Sequence, residues 1–163
     1  MPKKLKKLDK AEFVNFEKKV KLIDQQKIKK LINKTLKLKT NTRYCLHAKS
    51  GDKQQEMLVC QRKKNFFPPK KNLLSDQAFL IIKGKLLIII FDDKGRIIKR
   101  IILSKDGVIY ARVKKKIYHC DIPLSKVTIH LETKNCIFKK KINKFAKFNY
   151  NLKDLLKYGV NKN

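Results

Sequence analysis

Between residues 56 and 132 the sequence alternates short apolar segments with turn-forming residues, at a spacing of about ten positions. Segments of this length, rich in Ile, Leu and Val, are typical of β-strands. A turn around Gly95 separates two of them and favours a hairpin. The pattern predicts an all-β fold, an antiparallel sandwich or barrel. The predicted strands cover residues 56–61, 79–82, 86–91, 97–103, 108–113, 117–122 and 126–132.

Helical patterns flank this strand-rich region. Asp24 is a suitable N-cap, and the apolar residues that follow it recur on one face, which predicts a helix over about 24–38. A capped helical turn is predicted near Asn151, in the tail 151–163. Residues 1–20 form a basic extension, either a short helix or a disordered arm, and residues 41–53 are predicted as a loop. We therefore expect one domain over 21–150, with its barrel at about 54–133.

The formal net charge is +30, and two explanations for it remain open. A strongly basic chain attracts polyanions such as nucleic acid. However, the 43 basic residues include only five Arg, beside many Ile and Asn, and that bias is typical of A/T-rich codons. Selection for phosphate binding would favour more Arg, because its guanidinium binds phosphate through two parallel hydrogen bonds.

Several sequence features bear on location. The basic N-terminus is not followed by the apolar stretch of a signal peptide. The longest apolar run, around residues 80–90, is interrupted at Lys83 and Lys85 and is too short for a membrane span. The four cysteines show neither a C-x-x-C pair nor zinc-finger spacing, so we expect reduced thiols. These features predict a cytoplasmic protein.

The stretch PKKNLLSDQAFLIIKG, residues 69–84, has the spacing of the first cupin motif, which reads His-x-His, then Glu, then Gly. Further segments occur in matching order along residues 21–150. The chain therefore resembles the WbuC-type cupin metalloproteins, small proteins encoded among surface-polysaccharide (O-antigen, lipopolysaccharide) biosynthesis genes. The supporting segments are LIDQ (22–25), RYCLH (43–47), QEML (55–58), FDDKGRI (91–97), YHCDIPLS (118–125), Glu132 and NKFAKF (143–148).

The resemblance implies a cupin, a double-stranded β-helix or jelly-roll barrel, that binds a divalent metal through three His and one Glu. Those positions fall on Lys70, Asn72, Gln77 and His119, of which only His119 is the family residue. A lysine ammonium repels a metal ion, and amide oxygens bring no charge. The sequence therefore predicts a cupin with a degenerate metal site.

Three interpretations of the barrel mouth remain open. The site is lost without replacement, or it has become a polar, cationic pocket for a sugar phosphate or nucleotide sugar. In the third, a weak metal site persists on His119 and Gln77, with help from His47. The predicted pocket consists of Lys70, Asn72, Gln77, His119, His47 and Arg43. His130 is predicted to be a packed histidine.

Function remains open between three classes. A ligand-binding cupin of polysaccharide biosynthesis is one. A metal-dependent enzyme of the sugar isomerase or epimerase type, with His119 as acid or base, is the second. A basic protein associated with nucleic acid is the third. The resemblance also implies a homodimer.

Overall fold

The computed structural model describes residues 9–13, 20–49, 51–63, 65–137, 142–148 and 150–157, which form eleven strands and two helices. Neither of these helices is long and apolar enough to cross a membrane. The elements in chain order are β1 (Asp9–Phe13), α1 (Gln25–Leu38), β2 (Asn41–Cys45), β3 (Gln54–Arg62), β4 (Lys70–Asn72), β5 (Gln77–Lys83), β6 (Leu86–Phe91), β7 (Ile97–Leu103), β8 (Tyr110–Val113), β9 (Tyr118–Pro123), β10 (Val127–Asn135), β11 (Asn143–Phe145) and α2 (Leu152–Lys157).

The strands form two sheets that pack face to face. The six-stranded sheet has the order β1-β2-β3-β10-β5-β8, and the five-stranded sheet has the order β11-β4-β9-β6-β7. Neighbouring strands are antiparallel except β1 and β2, which run parallel. Between the sheets, Phe79 and Ile81 of one contact Leu86, Ile88 and Leu103 of the other. This is the two-layer arrangement of a jelly roll.

Both sheets are also covered over part of their outer faces, which explains why several strands read as continuous apolar runs. In β6, Leu86 and Ile88 point between the sheets, whereas Leu87 and Ile89 point outward. The outer face of the five-stranded sheet is covered by the C-terminal tail, where Leu155 is fully buried. A strand buried on both faces needs no polar alternation.

Helix α1 covers the outer face of the six-stranded sheet. The carboxylate of Asp24 accepts the Lys27 backbone N–H at 2.7 Å, so the predicted N-cap is confirmed. Leu31 is fully buried against Tyr44 and Leu58. The helix ends at Lys39, which takes a left-handed backbone conformation.

The three-residue strands β4 and β11 were not predicted, and two longer segments also differ from the sequence prediction. Residues 41–53 were predicted as a loop, but Asn41–Cys45 is a strand that pairs with β3. This strand lacks the apolar alternation used to predict strands, because its buried side chains are polar and hydrogen-bonded. Asn41 bonds the Asn65 carbonyl and the Arg62 N–H, and Thr42 bonds Thr35. In the N-terminal extension, residues 9–13 form a strand where a helix or a disordered arm was predicted. The rest of the extension up to residue 19 lies outside the described residues.

Gly84, which closes the 69–84 frame, occupies a position that only glycine fits. Its φ is +77°, and a Cβ there would lie 2.8 Å from the Val127 carbonyl oxygen. The tight turn between β5 and β6 depends on this residue, since side chains rarely adopt that backbone conformation.

We expect Leu31→Ala to destabilise the protein by about 3 kcal/mol, because it leaves a cavity between α1 and the sheet. Urea unfolding followed by circular dichroism measures this change. Leu38→Ala is the control: Leu38 is on the same helix but 38% exposed, so its truncation should cost far less. Equal losses for the two variants would contradict the proposed seating of α1.

Candidate functional site

A cavity of about 340 Å³ opens at one end of the space between the two sheets. Side chains from β2, β3, β4, β9 and β10 line it, together with residues near β11. Its wall contains three cations, two carboxylates and several amides, and Phe67 and Phe145 add aromatic surface. The charged and amide residues are Arg43, Lys70, Lys134, Asp121, Glu132, Gln55, Gln61 and Asn143.

Alternation along β10 brings charged residues into this wall. His130, Glu132 and Lys134 are two residues apart, so they point to the same, inner side of the sheet. The Lys134 ammonium lies 2.7 Å from the Glu132 carboxylate. Burial alone would raise the pKa of Glu132, but the ammonium groups of Lys134 and Lys70 outweigh it and hold that pKa well below its usual range.

Lys70 lies in the wall beside this pair and is only 9% exposed. Burial lowers its pKa, and the neighbouring charge of Lys134 lowers it further, against the opposing influence of Asp121 and Glu132. Its ammonium is also 4.9 Å from the centre of the Phe67 ring. Lys70 is therefore a buried lysine whose charged form is disfavoured by burial and by Lys134, and an anion placed beside it would stabilise that form.

His119 pairs with Lys70 across β9 and β4, but its ring does not line the cavity. Its Nδ1 lies 3.0 Å from the Ile117 carbonyl oxygen, and its Nε2 lies 3.3 Å from Gln77. Burial lowers the pKa of His119 to about 4, with Lys70 adding to the effect, so the ring is neutral near pH 7. A neutral ring that donates from Nδ1 accepts at Nε2, and a half-turn of the Gln77 amide presents its NH₂ to that nitrogen.

The predicted pocket residues fall into two groups. Arg43, His47 and Lys70 line the cavity, whereas Asn72, Gln77 and His119 do not. The Asn72 side-chain oxygen accepts the backbone N–H groups of Leu74 and Ser75, both at 3.0 Å, and so stabilises a turn. Gln77 and His119 bond each other in the buried layer beneath the cavity.

These residues do not fit a divalent metal. At the four family positions, the lysine is a cation, the asparagine oxygen is occupied by backbone donors, and the remaining two side chains contact each other. Within the described part of the chain, no three His, Cys, Asp or Glu side chains come together in a group that could hold a metal ion. One imidazole and amide oxygens make a poor transition-metal site.

Six charged or amide residues of the wall were not among the predicted site residues: Gln55, Gln61, Asp121, Glu132, Lys134 and Asn143. The Gln61 amide donates to the Asp121 carboxylate across the two sheets. The sequence does contain a signal for Asp121, Glu132 and Lys134. Polar residues recur at every second position on β9 (His119 and Asp121) and on β10 (His130, Glu132 and Lys134), which is the pattern of one face of a strand. His130 itself is fully buried beside Phe79, with ring centres 5.7 Å apart, in agreement with its prediction as a packed histidine.

Comparison with known proteins places this geometry in context. The profile of a family described as "Domain of unknown function (DUF6016)" matches residues 23–103, just under half of the chain. No curated protein matches the sequence. Among solved structures, the chain is similar to the capsular polysaccharide assembling protein CapF from Staphylococcus aureus, with 14% identity and a TM-score of 0.55. That alignment covers 66% of this chain but only 30% of CapF.

Two further structures extend the comparison. CapF with the inhibitor 3-isopropenyl-tropolone aligns at 15% identity and a TM-score of 0.55, over 66% of this chain and 32% of CapF. Oxalate oxidase in complex with the substrate analogue glycolate aligns at 12% identity and a TM-score of 0.47, over 57% of this chain and 46% of the oxidase. The structural neighbours have the cupin fold, and the predicted all-β cupin fold is confirmed.

We expect the free energy of unfolding to decrease as the pH is lowered from 6.5 to about 4. Unfolded His119 binds a proton below its ordinary pKa of 6.5, whereas the folded residue does so only near 4, so acid favours the unfolded chain. The difference corresponds to about 3 kcal/mol. Denaturant unfolding across this range should show a correspondingly flatter pH dependence for His119→Asn. An unchanged slope would contradict a neutral, buried His119.

We expect Glu132→Gln to destabilise the protein by about 3 kcal/mol, because it leaves the Lys134 and Lys70 ammonium groups without their shared carboxylate. Thermal and urea unfolding at pH 7 measure the loss. Asp93→Asn is a matched control that also removes a carboxylate bonded to a lysine, here Lys71, but at a side chain that is 82% exposed. Its effect should be close to zero.

Proposed function

We propose that this protein binds a small anionic ligand in the cavity, either a sugar phosphate or the sugar-phosphate part of a nucleotide sugar. The observation that carries the proposal is the buried Lys70 in the wall of a cavity of about 340 Å³. An anion held beside Lys70 would compensate its charge where solvent cannot.

The charge balance of the wall supports an anionic ligand. Three cations face two carboxylates, and Glu132 is already bonded to Lys134. The lining therefore contains more basic than acidic side chains. Because the wall is largely shielded from water, this excess attracts an anion more strongly than the surface lysines do.

The uncharged part of the lining supports a sugar. The buried side-chain oxygens of Gln61 and Asn143, which have no hydrogen-bond partner among the described residues, can accept from hydroxyls, and Phe67 and Phe145 offer apolar surface for the C–H face of a sugar ring. The volume lies at the lower end of the range for small-molecule sites. A sugar phosphate would fill it, and a nucleotide would extend beyond it.

A role in surface-polysaccharide biosynthesis is part of this proposal. It rests on the sequence resemblance to WbuC-type cupins, and the fold shared with a capsular polysaccharide assembling protein is consistent with it. Domain limits at 21–150, a cytoplasmic location and a homodimer stay predictions. So does a catalytic role for His119, and its neutral ring beneath the cavity favours binding over acid–base catalysis.

The test is binding of glucose 1-phosphate, fructose 6-phosphate and a uridine diphosphate sugar, measured by calorimetry at constant ionic strength. We expect Lys70→Met to weaken binding about tenfold or more, since it removes the buried charge. Lys71→Met is the matched control: it is the next residue on β4, and its ammonium bonds Asp93 on the opposite face. Equal weakening by both variants would indicate bulk charge attraction and would contradict a site at Lys70.

A further inference from the structure

A second concave surface lies outside the cavity, on the outer face of the six-stranded sheet. It is a groove of about 350 Å³ at the end of the sheet that includes the edge strand β8. Helix α1 covers the other part of this face, where Leu58 and Ile129 are buried. The groove is therefore open sheet surface.

The strand register explains the shape of the groove. Thr133 of β10 pairs with Ala78 of β5, and Ala78 pairs with Arg112 of β8. Thr133 and Ala78 place small side chains in the middle of the sheet face, so they form a floor, and Arg112 lies beside them on the edge strand. The row crosses three strands at intervals of about 5 Å and so spans about 10 Å, the length of a short linear oligomer.

The two sides of the floor differ in chemistry. On one side, Leu80 pairs with Tyr110, and the two side chains are 36% and 49% exposed. On the other side lie Gln54 and Asn135, which pair across β3 and β10 and bring two side-chain amides together. One wall is thus aromatic and apolar, and the opposite wall carries amides, of which the Gln54 NH₂ donates to the Glu56 carboxylate at 2.7 Å.

This pairing of surfaces matches an uncharged sugar chain. A pyranose ring has an apolar C–H face, which packs on an aromatic side chain, and a rim of hydroxyls, which amides bind. Charge supports the same class of ligand. The Arg112 guanidinium lies 3.0 Å from the Asp76 carboxylate, and Lys134, which also borders the groove, has its ammonium on Glu132 in the cavity, so the charges that line the groove are paired.

We propose that this groove binds an uncharged oligosaccharide, with Tyr110 as the aromatic contact. In a chain with a net charge of +30, a lining with balanced charges does not favour polyanions. The proposal does not depend on the cavity or on its anionic ligand.

The experiment is a nuclear magnetic resonance titration with maltohexaose, cellohexaose and N-acetylchitohexaose. We expect at least one of them to bind with a dissociation constant in the millimolar range or below, and to shift the amide signals of Ala78, Arg112 and Thr133. Tyr110→Ala should weaken binding about tenfold, and Tyr110→Phe, which keeps the ring, should retain it. Added salt and Lys70→Met should leave binding unchanged.

Ile98→Ala is the matched control, because Ile98 is an exposed apolar residue on β7, outside the groove. The proposal is overturned if none of the three sugars binds at millimolar concentration, or if Tyr110→Ala binds as well as the unaltered protein. A third outcome also overturns it: no sugar binding, together with a dimer in sedimentation that Tyr110→Ala dissociates. That result would make this face a surface for self-association.

Discussion

The interior of this protein depends on one buried carboxylate. Glu132 lies beside Lys134 and Lys70 where water is largely excluded, and without it two ammonium groups would face each other in a medium of low dielectric. Because the carboxylate and the ammonium groups stabilise one another, charged side chains can occupy one end of the space between the sheets. The other end is filled by an apolar core around Phe79.

The histidines follow from the same arrangement. His119 and His130 both lie near Phe79, with ring centres 6.1 and 5.7 Å from it, at the boundary between the apolar core and the charged layer. Burial lowers the pKa of both, and the nearby ammonium of Lys70 adds to the effect. A site built this way keeps its imidazoles neutral and places lysine side chains in the cavity wall, which suits recognition of an anion better than coordination of a metal ion.

Strands were predicted correctly where nearly all of their residues are apolar. Ile97–Leu103 and Leu86–Phe91 were identified with their observed limits, because apolar β-branched residues between turns leave few alternatives. Asn41–Cys45 was missed, because its polar residues are buried against partners that lie far away along the chain. Among the site residues, Arg43, His47 and Lys70 line the cavity, whereas the family positions Asn72, Gln77 and His119 are used for a turn and for a buried contact.

The sequence by itself determined the fold class, because alternation and turn residues are local properties, and it also showed which residue types stand at the four family metal positions. Only the tertiary structure decided which polar side chains share a cavity. Asp121 and Gln61 meet across two sheets although they are 60 residues apart, and the pairing of Ala78 with Thr133 and Arg112 forms the groove floor. Such contacts depend on strand order and register, and both are set by how the whole chain packs.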